Sequence, residues 1–218
     1  MKLRFSGWLG AFLVAATVLV ALLSLVWTPY DPTLAHPDVR LAGPSAEHLL
    51  GTDRFGRDTA SRIMAGAQIT VFVGLIAVGI AALVGVPLGI LAGMRRGRWV
   101  DALVMRGADL LLAFPALLLA IIAGAVWGPS TLTAMIAIGI AGIPSFARVA
   151  RSGTLQVITQ DFISSARISA VPGWKVALRH IVPNIAGLLI VQSSVYFALA
   201  ILAEAGLSYL GLGTAPPA

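Results

Sequence analysis

The chain contains no cysteine, and only 11% of its 218 residues are charged. The first absence excludes a disulfide framework and any cysteine-based metal site, and says nothing of compartment. The second excludes an ordinary soluble domain, since 58% of the residues are hydrophobic and the mean hydropathy is +0.93. No GxxxxGK[ST] stretch is present, so the chain carries no phosphate loop for ATP. HExxH and GxSxG are missing too. His36, His48 and His180 lie outside the long apolar runs and read as surface residues, not metal ligands. Ser130, Ser145, Ser193 and Ser194 therefore have no histidine within those runs to activate them, which leaves an intramembrane enzyme as a remote alternative. Internal repeats and midplane ionisable groups, expected of a self-contained secondary transporter, are also lacking.

What is present is long apolar sequence. Phe5 to Tyr30, Ile63 to Met94, Leu110 to Ala147 and Ile181 to Ala203 carry no charge. Each exceeds the roughly 18 residues that suggest a membrane span. Leu110 to Ala147 would reach about 57 Å as one helix, against a hydrocarbon core of about 30 Å. It must fold back, and Trp127-Gly128-Pro129-Ser130 is the turn. Five spans are expected, at about 8–28, 69–94, 104–126, 131–150 and 182–204. All should be helices, because isolated strands leave backbone groups unsatisfied in lipid. The fold class is all-α, a polytopic transmembrane helix bundle. The first span reads as a retained anchor, since its apolar run is longer than a signal peptide's and no small-x-small site precedes Thr28-Pro29.

The basic residues orient the bundle. Lys2, Arg4, Arg95, Arg96, Arg98, Arg106, Arg148, Arg151, Arg167, Lys175 and Arg179 fall on one side, while Arg40, Arg54, Arg57 and Arg62 fall on the other. The larger set belongs in the cytoplasm, and so does the N-terminus. This asymmetry accounts for the pI of 10.8 without a nucleic-acid partner. The chain then divides into a tail and first span (1–28), an extracytoplasmic segment (29–67) and a core (68–218).

Several positions stand out by their chemistry. In the second span Gly85, Gly89 and Gly93 are spaced by four, with Pro87 among them. Such spacing lets helices approach closely, either inside this chain or against a partner. Asp109 and Pro115 lie in or near the third span. Asp109 sits one turn after Arg106, so an i, i+3 ion pair is the simpler account, with a place beside the solute path as the alternative. Pro115 should bend the helix and free the carbonyl of Leu111. Glu204 is the only acid near the end of the fifth span, and it either lines a pathway or faces an interface. The stretch His48 to Ala67 places Gly51 and Gly56 among Thr52, Asp53, Arg54, Arg57, Asp58 and Arg62. That mixture suits a compact turn closed by carboxylate–guanidinium pairs.

The largest polar insert is DFISSARISAVPGWKVALRHIVPN, Asp161 to Asn184. Two short helical patterns flank a break at Val171, Pro172 and Gly173. Arg167, Lys175, Arg179 and His180 make the insert basic, and Pro183 sits where a helix can begin. Trp174 is suited to the headgroup layer.

This insert resembles the EAA loop of the permease subunits of binding-protein-dependent ABC importers. The matching positions are Ser164, Ser165, Ala166, Ala170, Ile181, Val182 and Pro183. Ser164 stands where the family has Glu, and Ala170 where it has Gly. LGTDRFGRDTASR, Leu50 to Arg62, is similar to the LGTDxxGRDxxSR motif of the subgroup that imports dipeptides, oligopeptides, glutathione or chelated nickel, and places the chain near its "C" type permeases. ADLLLAFPALLLA and GLSYLGLG match further runs of that subgroup.

The resemblance implies a type I importer permease fold with a sixth span beyond Ala218. It implies residence in the bacterial inner membrane, with a second homologous permease, two cytoplasmic ABC ATPases and an extracytoplasmic solute-binding protein as partners. ATP and Mg would be bound by the ATPases, and no cofactor or metal by this chain, which is then no enzyme. The loop at about 155–181 would be the coupling element, with Ser164, Ser165, Ala166, Arg167, Ala170 and Gly173 docking on an ATPase. Gly51, Thr52, Asp53, Gly56, Arg57, Asp58 and Arg62 would form an outer-face element near the docking site of the binding protein, or simply a turn that orients the second span. The solute expected is a dipeptide or oligopeptide, with a nickel chelate or glutathione as the alternative.

Overall fold

A computed structural model describes residues 5–213, with the side chains of all of these except Ser6 and Arg167. Among them there are helices, turns and one isolated bridge between Thr52 and Asp58. The helices are α1 (Phe5–Ser24), α2 (Thr59–Met94), α3 (Trp99–Leu112), α4 (Ala116–Trp127), α5 (Thr131–Val157), α6 (Asp161–Ile168), α7 (Gly173–Val176) and α8 (Val182–Tyr209), with a π-turn at Ala177–Ile181 between the last two. Two compact units divide at residue 73, inside α2.

The unit before that point holds α1 and the segment 25–58. Helix α1 exposes Trp8, Phe12, Val14, Leu19 and Leu22 around its circumference. A rod of 20 residues that is apolar on every side suits hydrocarbon, and its length of about 30 Å matches the core of a bilayer.

Gly74–Gly213 form the second unit, built around α5. The glycines of α2 decide how it packs. An added Cβ would lie 2.6 Å from Ile143 O at Gly85, 2.2 Å from Ala147 O at Gly89, and 2.7 Å from Thr154 Cβ at Gly93. The spacing of four therefore serves an interface inside this chain, with α5 taking the place of a partner subunit. Residue numbers rise together along the contact, so α2 and α5 run parallel. Helix α8 runs the other way: Ile185 meets Gly153, while Tyr196 packs on Gly142 and donates its hydroxyl to Ile138 O at 2.5 Å.

This direction settles what α3 and α4 are. The chain leaves α2 near Arg151 and Thr154 and enters α5 at its far end, so α3 and α4 together must recross the layer. They do so as a broken span, bent by 79° at residues 113–115. The span expected at about 104–126 is thus present, begins earlier at Trp99, and is split into two helices at the expected bend. Pro115 has no N–H and ends α3 where a single bend was expected. The carbonyl of Leu111 is not freed either, because it accepts the N–H of Phe114 at 3.3 Å. Helix α1 ends at Ser24, short of the expected 28, while the others keep their places but run longer than the apolar cores: α2 begins at Thr59, α5 reaches Val157 and α8 reaches Tyr209. Polar residues extend a helix into the interface as readily as apolar ones, so charge marks the lipid boundary and not the helix end.

Candidate functional site

The polar insert folds as two short helices on an apolar seat. Ile163 of α6 is buried with Val176, Ile181 and Ile185, against Val157 and Ala150 of α5 and Ile90 of α2. Ala166, Val171 and Met94 close the margin of this cluster. Ser164, Ser165, Ile168, Ser169 and Ala170 face outward, and Ile168 is 88% exposed. Arg167 lies on α6, and its side chain is outside the described residues. Ala166, expected at the docking surface, is half-buried in the seat. The exposed Ile168 was not singled out from sequence, although it lies three residues from Ser165 on the same helical face.

The end of α6 explains Ala170. Val171 N–H bonds to Ala166 O at 3.0 Å, a six-residue closure, and Ala170 between them has φ +54. This is the glycine-type helix stop, in which the residue after the cap is left-handed and the next one packs back on the helix. Val171 and Ala166 both pack on the cluster around Ile163. An alanine in the left-handed region costs about 1 kcal/mol relative to glycine. Gly173 then opens α7, and a Cβ there would only touch Met94 Cε at 3.5 Å. Trp174 is exposed beside Lys175, whose Nζ stands 5.4 Å from the indole centre.

Pro183 stands in the first turn of α8, as expected of a helix start, although α7 and the π-turn run into it without a break. It has no N–H to offer the carbonyl four residues back, Arg179, so the turn widens and Val182 N–H bonds to Ala177 O. Asn184 Nδ2 caps the next carbonyl, His180 O, at 2.7 Å.

The motif at Gly51 to Arg62 ties itself into a knot at the head of α2. Asp53 Oδ1 accepts the N–H groups of Phe55 and Arg57 at 2.8 and 3.0 Å, and Oδ2 accepts Arg57 Nε and Arg62 Nη1 at 2.9 and 2.7 Å. Burial raises the Asp53 carboxyl, but these N–H bonds and the Arg57 guanidinium outweigh it and hold it at about 2. Asp58 caps α2 by accepting Ser61 N–H and hydroxyl, both at 2.7 Å, and its other oxygen meets His48 Nδ1 at 3.0 Å. His48 is therefore largely enclosed, contrary to its expected surface position; His36 is exposed, and His180 stands half-buried with its ring 6.1 Å from that of Phe162. Thr52 donates to Val39 O and accepts Ala42 N–H. Gly51 and Gly56 have φ of +71 and +78, and a Cβ would strike Ala42 O and His36 O. Every motif residue named is thus engaged within the knot. Arg54 and Phe55, the variable positions, are the ones left outward, with the Arg54 guanidinium 4.9 Å over the ring.

Two ion pairs join α3 to α5. Asp101 takes Arg151 with both oxygens, at 2.6 and 2.8 Å, and also accepts Gly97 N–H at 3.1 Å. Asp109 pairs with Arg148 at 2.5 Å, and not with Arg106 as its spacing suggested. Tertiary packing brings a better-placed cation than the local helix does. Glu204 is half-buried near the end of α8, 3.2 Å from where a Cβ on Gly213 would stand.

The second unit is a bundle of apolar helices long enough to cross a membrane, with a basic loop seated on it through apolar side chains. Residues 85–218 match the family of binding-protein-dependent transport system inner membrane components. The chain is 40% identical over 95% of its length to a dipeptide transport system permease protein of Alkalihalophilus pseudofirmus, covering 68% of that protein. It is 36% identical to a di/tripeptide transport system permease protein of Pseudomonas aeruginosa, over 97% of this chain and 72% of the relative. A glutathione transport system permease protein of Pectobacterium atrosepticum is 39% identical over 94% of this chain and 70% of its own. The chain belongs to the family of binding-protein-dependent transport system inner membrane components.

Proposed function

We propose that this chain is one of two permease subunits of an ABC importer that takes up dipeptides or short oligopeptides. A soluble binding protein delivers the peptide on the outer side, and two cytoplasmic ATPases bind ATP and Mg. The N-terminus lies in the cytoplasm, by the distribution of Lys and Arg. The relatives named above support the solute class, since two carry peptides by name.

The observation that carries the coupling role is the seat of α6. Ile163 is packed among residues of α2, α5, α7 and α8, so a push on α6 reaches three long helices at once. The polar outer residues Ser164, Ser165 and Ser169 with exposed Ile168 form the face that meets an ATPase. Coupling requires a lever whose contacts differ between two states. Arg167, Ala170 and Gly173 complete this docking element, and Asp109, Pro115 and Glu204 remain pathway or bend residues in the same proposal.

The test is ATP hydrolysis by the assembled transporter in liposomes with its binding protein, offered dipeptides, longer peptides, glutathione or a nickel chelate. Stimulation by peptides is expected. Stimulation by the chelate or glutathione alone would replace the solute class and keep the permease role. Ile168→Asp should leave assembly intact and lower stimulated hydrolysis and uptake together; unchanged uptake at normal expression would remove α6 as the lever.

A further inference from the structure

The turn between α2 and α3 carries Arg95, Arg96, Gly97, Arg98 and Trp99, all exposed. Arg95, Arg96 and Arg98 form no ion pair among the described residues. Three arginines within four residues make a local excess of exposed positive charge, which favours an anion. The turn is nevertheless held in one shape. Gly97 has φ +73 and gives its N–H to Asp101, Asp101 is gripped by Arg151, and Arg98 N–H bonds to Arg95 O at 3.0 Å.

Beside the turn lies an open cavity of about 450 Å³, lined by Gly97, Arg98, Trp99, Asp101, Met105 and Arg151 among others. Two guanidiniums face one carboxylate there, and both oxygens of that carboxylate are already engaged. The first turn of α3 has no side-chain cap on its N–H groups, and Asp101 within it offsets only part of the positive end of the helix. Trp99 is 74% exposed at the head of α3, five residues past the end of the 36-residue apolar helix α2, where aromatic rings settle at the headgroup level.

From this we infer that the cavity at Arg98, Trp99 and Arg151 is a binding site for the headgroup of an anionic phospholipid, with Arg95 and Arg96 as its outer contacts. The phosphate sits against Arg98 and the uncapped turn of α3, Trp99 lies along the glycerol and upper acyl chain, and the Asp101–Arg151 pair keeps the floor rigid. Basic pockets between transmembrane helices select anionic headgroups in this manner. The inference needs only that the chain sits in a membrane, so its failure leaves the transport reading standing.

The experiment is native mass spectrometry of the full chain in detergent, titrated with phosphatidylglycerol or phosphatidylcholine. Phosphatidylglycerol should be retained preferentially. Arg98→Gln should weaken its retention about five-fold, the effect of one cation near a lipid surface. Arg98→Lys should weaken it less, Trp99→Ala should lower retention of both lipids, and Arg40→Gln, in the other unit, should change nothing. Equal retention of the two lipids, or an unchanged Arg98→Gln, overturns the site. So does displacement of the lipid by millimolar inorganic phosphate, which would make it a free-anion site. Loss of a co-purifying ATPase from Arg98→Gln with lipid retention intact would assign the patch to a protein partner and also overturn it.

Discussion

The knot at the head of α2 and the loop beside its tail are fastened by opposite chemistry. Around Asp53 and Asp58 the chain is closed by directed bonds, with each carboxylate oxygen aimed at a named donor. Around Ile163 the side chains that seat the loop are apolar, and its hydrogen bonds are local closures within the loop and its ends. Directed bonds hold one geometry and fail abruptly when a partner leaves. Apolar contact is non-directional, so a helix seated that way can shift by a fraction of a turn and keep most of its burial. That contrast supports the proposal of a fixed origin for α2 and a pivoting attachment for α6.

Removing the hub of the knot should have the largest effect. Asp53→Ala deletes the acceptor of four donors, two of them guanidinium groups, and should destabilise the protein by about 3–5 kcal/mol. Thermal unfolding in detergent measures it, and a shift within error of wild type would show that the knot is ornamental to stability. Ile163→Ala should cost about 3 kcal/mol through a cavity, and should loosen α6 toward protease before the bundle unfolds. Simultaneous loss of both would mean the loop is not a separate pivot.

Acid should separate the two regions without mutation. The folded Asp53 carboxyl at about 2 lies below its unfolded value near 3.9, so its contribution is complete above about pH 4 and disappears as pH falls toward 2. Hydrogen exchange of the amides of Phe55 and Arg57 should rise in that window while the amides around Ile163 stay protected. The smallest effect belongs to Ala170→Gly, which relieves a left-handed alanine and should stabilise the loop by about 1 kcal/mol, less the greater freedom of glycine when unfolded. Faster proteolysis at α6 in that variant would contradict the helix-stop geometry.

Much of the architecture was legible along the chain. Charge-free runs mark α1, α2, α5 and α8 because lipid admits no unpaired charge over that length. The break at Val171, Pro172 and Gly173 was visible because Pro and Gly act locally, and the knot because Gly, Asp and Arg alternate within a dozen residues. Less legible was anything set by a partner distant in sequence. Asp109 sits one turn from Arg106, yet it pairs with Arg148, 39 residues away. Asp101 gives no local sign of Arg151, 50 residues on. Pro115 foretold a bend, and its angle came from where α5 begins.

By itself, the sequence determined an all-helical membrane chain, the uneven distribution of charge along it and the presence of a basic loop, since each follows from the transfer of residues between water and lipid. The tertiary structure alone decided that Gly85, Gly89 and Gly93 face α5 in the same chain, that the third span breaks into α3 and α4 at 79°, and that Ile163 seats the loop on three long helices. Those outcomes depend on which surfaces meet, and apolar surfaces of similar composition differ only in shape.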